Sequence, residues 1–142
     1  MVKFLFALII SISMSSCSNQ EPISAESIVI ETHSEHPFLK DHCKLLKTLN
    51  AEAETIDEVE IYCNPGSGCA SYLYEDELKF IMIDCNGEWY EILKATGTIK
   101  DAGWHWLEDP EMDFVCKYSS SGKKTTPQQL DLEEIYQYKD PN

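Results

Sequence analysis

The clearest pattern in the chain is "KFIMIDCNGEWYEIL", residues 79–93, an apolar run, a turn and a second half-apolar run. Asn86-Gly87 is the favoured residue pair of a two-residue type I′ hairpin turn. Such a turn predicts Cys85 opposite Glu88, Ile83 opposite Tyr90 and Ile81 opposite Ile92, all on one buried face. The other face then carries Asp84 with Trp89, Met82 with Glu91 and Phe80 with Leu93. A slip of one residue would exchange the two faces.

Period-two alternation recurs elsewhere. "EVEIYC" sets Val59, Ile61 and Cys63 on one side and Glu58, Glu60 and Tyr62 on the other, as in a half-buried strand. "MDFVCKYS" does the same, with Phe114, Cys116 and Tyr118 sharing a side. "SIVIET" (27–32) and "CASYLYED" (69–76) also read as strands, the first from its β-branched residues. "TGTIKDAGWHWLEDPEMD" is loop-like at both ends, around Trp104 and Trp106.

Two stretches carry helical signals instead. In "HPFLKDHCKLLKTLN", Phe38, His42, Leu45 and Leu49 form one stripe and Leu39, Cys43 and Leu46 the next. Lys40, Lys44 and Lys47 line the opposite side, Pro37 opens the segment and Asn50 closes it. Near the C-terminus, Thr126, Pro127 and Gln129 make a helix-start signature, although Leu130 and Leu132 alternate like a strand. The expected fold is therefore α+β. It has a small antiparallel sheet of four or five strands, a packed N-terminal helix over Phe38–Leu49 and a C-terminal helix. A length of 142 residues fits one such domain.

The N-terminus belongs to a different object. "MVKFLFALIISISMSS" has an early lysine, a short apolar run and a small-residue end, the layout of a secretory signal. The run is shorter than the roughly 20 residues needed to span a bilayer. "MSSC" (14–17) resembles the lipobox of bacterial lipoproteins, with Ser15 and Ser16 before the cut and Met14 where leucine is usual. The resemblance covers only residues 1–20. It implies cleavage before Cys17, lipid attachment at Cys17 and anchoring in the bacterial cell envelope. Ser18 goes with sorting to the outer membrane, facing the periplasm. Ser16-Cys17-Ser18 also fits ordinary signal cleavage after Ser18, which would release a secreted or soluble periplasmic protein. The expected organisation is a signal peptide over 1–16, a tether over 17–36 and a disulfide-bonded domain over 37–142.

Export makes disulfides the expectation for the cysteines. Cys63 and Cys69 flank the turn "NPGSG" and form the best-supported pair. Cys85 is expected to bond Cys43, on the apolar helix face, or Cys116. With Cys17 lipidated, five of the six cysteines remain, so one thiol is left over. Cys116 is the candidate, as an inert buried thiol.

Charge narrows the function. There are 25 acidic residues against 11 basic ones, every basic residue is lysine, and the formal net charge is −14. Without a basic footprint or an arginine fork, nucleic-acid binding is excluded. A basic protein partner is favoured instead.

Catalytic motifs are missing, and no cofactor is implied. "PGSGC" is not a nucleophile elbow, and no phosphate loop occurs. His33, Glu35, His36, Asp41, His42 and Cys43 include metal-ligand types but match no zinc spacing. "LEDPEMD" lacks the pattern of a calcium loop. Trp104 and Trp106, with Glu108, Asp109 and Glu111 beside them, are the candidate partner-binding residues. The expected function is a lipid-anchored envelope binding protein with an acidic surface, in the manner of an inhibitor or immunity protein against a basic enzyme or toxin. The alternatives are an accessory lipoprotein of an envelope complex, and a metal protein or enzyme using the His33–His42 region or His105.

Overall fold

The computed structural model describes residues 20–32, 43–63, 70–105 and 110–129. These form two antiparallel sheets. The first runs β1 (Ile28–Thr32), β2 (Cys43–Leu49), β3 (Thr55–Tyr62). The second contains β4 (Ser71–Glu75), β5 (Lys79–Ile83), β6 (Glu88–Leu93), β7 (Ile99–Trp104), β8 (Asp113–Tyr118) and β9 (Lys124–Thr125). Its spatial order is β7-β6-β5-β4-β8-β9, so β8 returns to the free side of β4. The fold is all-β, not α+β. The helical elements among the described residues are single 3₁₀ turns at Ala25–Ser27 and Pro127–Gln129.

The expected N-terminal helix is overturned at Cys43–Leu49, which is β2. Lys44, Leu46 and Thr48 are buried while Cys43, Leu45 and Lys47 are half-buried, a period of two. Leucine and lysine favour helix only weakly. Here β2 is the central strand, paired with β1 on one side and β3 on the other, and those ladders decide its conformation. Lys47 stays on the outer face, with its ammonium 2.7 Å from Glu31 and 3.8 Å from Glu58. Asn50 is not a helix stop; it organises the β2–β3 turn. Its side-chain oxygen accepts from the backbone N–H groups of Glu52 at 3.0 Å and Glu54 at 2.9 Å. Residues 37–42 of the expected helix lie outside the described residues. So does all but the first turn of the C-terminal one, where the Gln129 side chain accepts from the Thr126 N–H at 3.0 Å.

The hairpin β5–β6 is present, but its register differs from the expected one by one residue. Ile83 pairs with Trp89, Met82 with Tyr90 and Phe80 with Ile92. The loop has three residues, Cys85, Asn86 and Gly87, closed by Asp84 N–H to Glu88 C=O at 2.9 Å. Gly87 takes φ +83°, as in a type I turn followed by a left-handed bulge residue. Asp84 selects this turn. Its Oδ1 accepts from the N–H of Asn86 at 2.8 Å and of Glu88 at 3.0 Å. The faces of β5 exchange accordingly: Phe80 and Met82 point inward and Ile81 and Ile83 outward, while Tyr90 and Ile92 of β6 point inward as expected.

The sheets share one core. Ile28, Ile30, Leu46, Ile61 and Cys63 of the first meet Leu73, Phe80, Met82, Tyr90, Ile92, Cys116 and Tyr118 of the second. Ile23 joins them, so the folded body begins well before residue 37, and "SIVIET" supplies a strand rather than part of a tether. A smaller cluster lies on the outer face of the second sheet: Tyr74, Ile81 and Ile83, with Tyr72, Trp89, Met112 and Phe114 packed on them. Phe114 is here because the β4–β8 pairing shifts between Leu73 and Tyr74. That shift sets Phe114 against Tyr74 while Cys116 faces Leu73, so Phe114 does not share a side with Cys116. The segment expected as a loop before Trp104 is the strand β7.

Both seams between the sheets are latched without a shared ladder among the described residues. At one, Thr48 Oγ1 donates to Gly97 C=O, and the Ile99 N–H donates to Asp57 Oδ2 at 2.8 Å. At the other, Tyr118 O–H donates to Ile28 C=O at 3.0 Å, and Lys124 Nζ donates to Ala25 C=O at 2.7 Å. Gly122, at φ +83°, allows this closure, since a Cβ there would lie 2.5 Å from the Ile30 carbonyl oxygen.

Candidate functional site

One end of the second sheet carries an open acidic cleft of about 690 Å³, lined by Glu75, Asp76, Glu77, Lys94, Glu111, Met112 and Asp113. Three segments build it. The β4–β5 turn supplies Glu75 to Glu77, the end of β6 supplies Lys94, and the approach to β8 supplies Glu111 to Asp113.

The turn is fixed by its own carboxylate. Asp76 Oδ1 accepts from the N–H of Leu78 at 2.8 Å and of Lys79 at 2.9 Å. Those bonds hold Asp76 below the ordinary carboxylate range. Lys94 reaches Glu75 at 2.8 Å and lies 4.7 Å from the centre of the Phe80 ring. The cleft therefore presents five carboxylates and a single ammonium that is already paired.

Beside it two leucines face solvent. Leu78 is 76% exposed and Leu93 is 42% exposed. The Leu78 carbonyl accepts from the Lys94 N–H at 3.0 Å, and Leu93 pairs with Lys79 across β5–β6.

The opposite end holds a buried polar centre around Asp84, which is 3% exposed. Besides the two N–H groups of its own turn, it accepts from the Tyr62 N–H at 3.2 Å. Desolvation raises its pKa above the ordinary value; the hydrogen bonds from Glu88, Asn86, Tyr62 and Tyr90 offset part of that rise. Tyr90 O–H donates to Glu88 Oε2 at 3.0 Å. Cys63, Lys44 and Ser71 are buried near by. Burial pushes the Cys63 thiol up to about 11, against a lowering by Lys44. A thiol so protonated is a poor nucleophile near neutral pH.

The cysteines depart from the expected map. Cys116 carries the free, buried thiol expected of it, but Cys43 and Cys63 are free as well, so the Cys63–Cys69 bridge is not formed and Cys85 bonds neither Cys43 nor Cys116. The strand register explains the separation of Cys43 and Cys63. Cys43 is opposite Tyr62 on the outer face, whereas Cys63 follows it on the inner face. Cys85 is disulfide-bonded. Cys116 is fully buried, and burial raises its pKa.

Of the candidate partner-binding residues, Glu111 lines the cleft. Trp104 is 49% exposed at the end of β7, opposite Glu88, away from the cleft. Trp106, Glu108 and Asp109 lie outside the described residues, as do Cys17, Cys69, His33, His36 and His42. The His105 ring sits 4.4 Å from that of Trp89, and its Nε2 is 2.9 Å from the Ala102 carbonyl oxygen. Among the described residues no three His, Cys, Asp or Glu side chains are arranged to hold a metal ion. The sequence reading passed over Glu75, Asp76, Glu77 and Lys94. The signal was present in "YEDELK", an acidic run between two strands, but only the fold shows that Glu111 to Asp113 meet it.

The chain matches no protein-family model, and neither a curated protein nor a solved structure is significantly similar to it.

Proposed function

We propose that the chain is a non-catalytic binding protein of the bacterial cell envelope, anchored by lipid at Cys17, whose acidic surface takes a basic protein partner. An inhibitor or immunity protein against a basic envelope-directed enzyme or toxin is its most concrete form. The observation that carries this reading is the cleft of Glu75, Asp76, Glu77, Glu111 and Asp113, open to solvent and nearly unneutralised. Surface charge of one sign steers an oppositely charged partner and accelerates encounter, with a strong dependence on salt. Burial raises the pKa of the buried thiols Cys63 and Cys116.

The test is capture from envelope extract on the immobilised mature protein, followed by elution with a salt gradient. Basic proteins released by salt support the reading. Bound proteins that are not basic, or that resist salt, count against it. Intact mass measurement on membrane-derived protein tests the anchor separately, since acylation at Cys17 and cleavage before it each leave a defined mass.

A second reading, an accessory lipoprotein of an envelope complex, is favoured by Trp104, a large aromatic left half in solvent at the end of an edge strand. Binding through it would resist salt and be lost in Trp104→Ala.

A further inference from the structure

The β5–β6 turn holds a residue pair with chemistry of its own. Of the asparagines in the chain, only Asn86 is followed by glycine. Asparagine is a thermolabile residue. A following glycine leaves its backbone nitrogen the least hindered, because no Cβ stands beside it. We infer that Asn86 is the chain's site of spontaneous deamidation, and that the turn built by Asp84 protects it for as long as the hairpin stays closed.

The reaction balances with water as the only co-reactant. The Gly87 nitrogen gives up its proton and attacks Cγ of Asn86. A C–N bond forms between them, and the side-chain nitrogen leaves as ammonia, carrying that proton. The product is a cyclic succinimide. Water then adds to either ring carbonyl and breaks its C–N bond. One opening gives aspartate at position 86. The other gives isoaspartate, whose backbone runs through the former side chain.

Access and protection are both visible in the turn. Residues 85–88 are half-buried, so water reaches the loop. A Cβ placed on Gly87 would meet nothing within 4 Å, so crowding is not what restrains the reaction. Hydrogen bonding is. The Gly87 N–H, whose nitrogen must attack, donates to the Asp84 C=O at 3.1 Å. The Asn86 N–H donates to Asp84 Oδ1 at 2.8 Å. Forming the ring requires rotation about the Asn86 Cα–C bond, which carries the Gly87 N–H away from its acceptor. Asp84 supplies both acceptors, one from its backbone and one from its side chain. Conversion therefore waits for the turn to open.

Once made, either product works against reclosure. Each places a new carboxylate between Asp84 and Glu88, and Glu88 already feels the charges of Asp101 and Asp84. Isoaspartate also lengthens the backbone of a loop whose residue count sets the strand register. The Asp84 contact to the Tyr62 N–H, at 3.2 Å, depends on that same turn.

The test follows the tryptic peptide Phe80–Lys94, released after reduction of the Cys85 disulfide. The mature protein is held in mildly alkaline buffer, with and without enough urea to unfold it. Mass reads the change from amide to acid, and chromatography separates aspartate from isoaspartate. In urea, Asn86 is expected to convert before any other asparagine. It should convert at least about tenfold faster than in the folded protein, which corresponds to about 1.4 kcal/mol for opening the turn. Gly87→Ala should slow the reaction in urea, where the fold plays no part. Asp84→Ala, checked for folding by circular dichroism, should convert faster than wild type in buffer.

Equal wild-type rates in buffer and in urea would overturn the protection, and this comparison decides even if Asp84→Ala does not fold. A folded Asp84→Ala that converts at the wild-type rate removes Asp84 as the guard. Conversion in urea that is led by another asparagine, or is indifferent to Gly87→Ala, overturns the site.

Discussion

The carboxylate of Asp84 accepts the backbone N–H of Tyr62 at 3.2 Å, joining the tip of the β5–β6 hairpin to the last residue of β3 in the facing sheet. The same side chain sets the hairpin's three-residue loop. One buried residue therefore fixes both a strand register and the spacing of two sheets. Replacing it by alanine leaves the N–H groups of Tyr62, Asn86 and Glu88 without that acceptor. Leaving buried donors unsatisfied costs about 1–3 kcal/mol each when water cannot reach them. Asp84→Ala is expected to lose on the order of 3 kcal/mol in urea unfolding. A loss below about 0.5 kcal/mol, within surface-substitution range, would remove Asp84 from this role.

Asp84 and Asp76 should bend the pH dependence of stability in opposite directions. Burial raises Asp84, so the folded chain keeps that proton to higher pH than the unfolded chain does. Its contribution is fully present below the unfolded value, about 3.9, and is lost as pH rises through the folded value. Asp76 is lowered by the N–H groups of Leu78 and Lys79. Its stabilisation is present above the unfolded value and is lost as pH falls through the folded one. Unfolding curves across acidic pH should show a more positive slope for Asp84→Asn than for wild type, and a less positive one for Asp76→Asn. Slopes that move in the same direction for both variants would refute this.

Two backbone positions give predictions of opposite sign. Ala53, in the β2–β3 turn, has φ +61°, where an L-residue with a Cβ is strained. Ala53→Gly is expected to raise stability by about 0.5 kcal/mol, the strain relieved less the added chain entropy. Gly122→Ala meets both an unfavourable φ of +83° and the Ile30 carbonyl oxygen at 2.5 Å. Gly87→Ala, at the same φ, has nothing within 4 Å. The cost should be about 1 kcal/mol at 87 and about 2–4 kcal/mol at 122, where overpacking is added. Equal thermal shifts for the two glycine variants would show that the Ile30 contact yields freely.

The thiols should differ in reach. Cys43 is half-buried on the outer face, while Cys63 and Cys116 are buried; desolvation raises the pKa of all three. A disulfide reagent added to the folded protein near pH 8 is expected to modify Cys43 first, and Cys63 and Cys116 only on unfolding. Peptide mapping of the modified protein reads the order. Modification of Cys63 as fast as Cys43 would contradict the packing.

Much of the strand content was legible because alternation survives wherever one face is buried, as at Val59, Ile61 and Cys63 or at Cys116 and Tyr118. The β2 segment misled because "CKLLKTL" satisfies both periods. Its choice is made by pairing with Ile28–Thr32 and Thr55–Tyr62, a pairing that the spacing within the segment does not reveal. The hairpin misled differently. Asn86-Gly87 names a turn, but the aspartate at 84 selects the three-residue form, and that single residue exchanges the faces of Ile81, Ile83, Phe80 and Met82. The acidic cleft was half-visible. Glu111 stood out in its own run, whereas its meeting with Glu75 to Glu77 depends on β8 returning beside β4.

The Tyr118–Ile28 hydrogen bond spans 90 positions, and the Lys124–Ala25 bond spans 99. Contacts between such distant parts of a chain form late, because their loop must close before they contribute. Until Tyr118 and Lys124 are in place, β1 is paired with β2 but its seam to the second sheet stays open. The chain therefore cannot finish folding from its N-terminal end as it emerges. Its architecture therefore leaves the closing contacts until nearly all of the folded body is present.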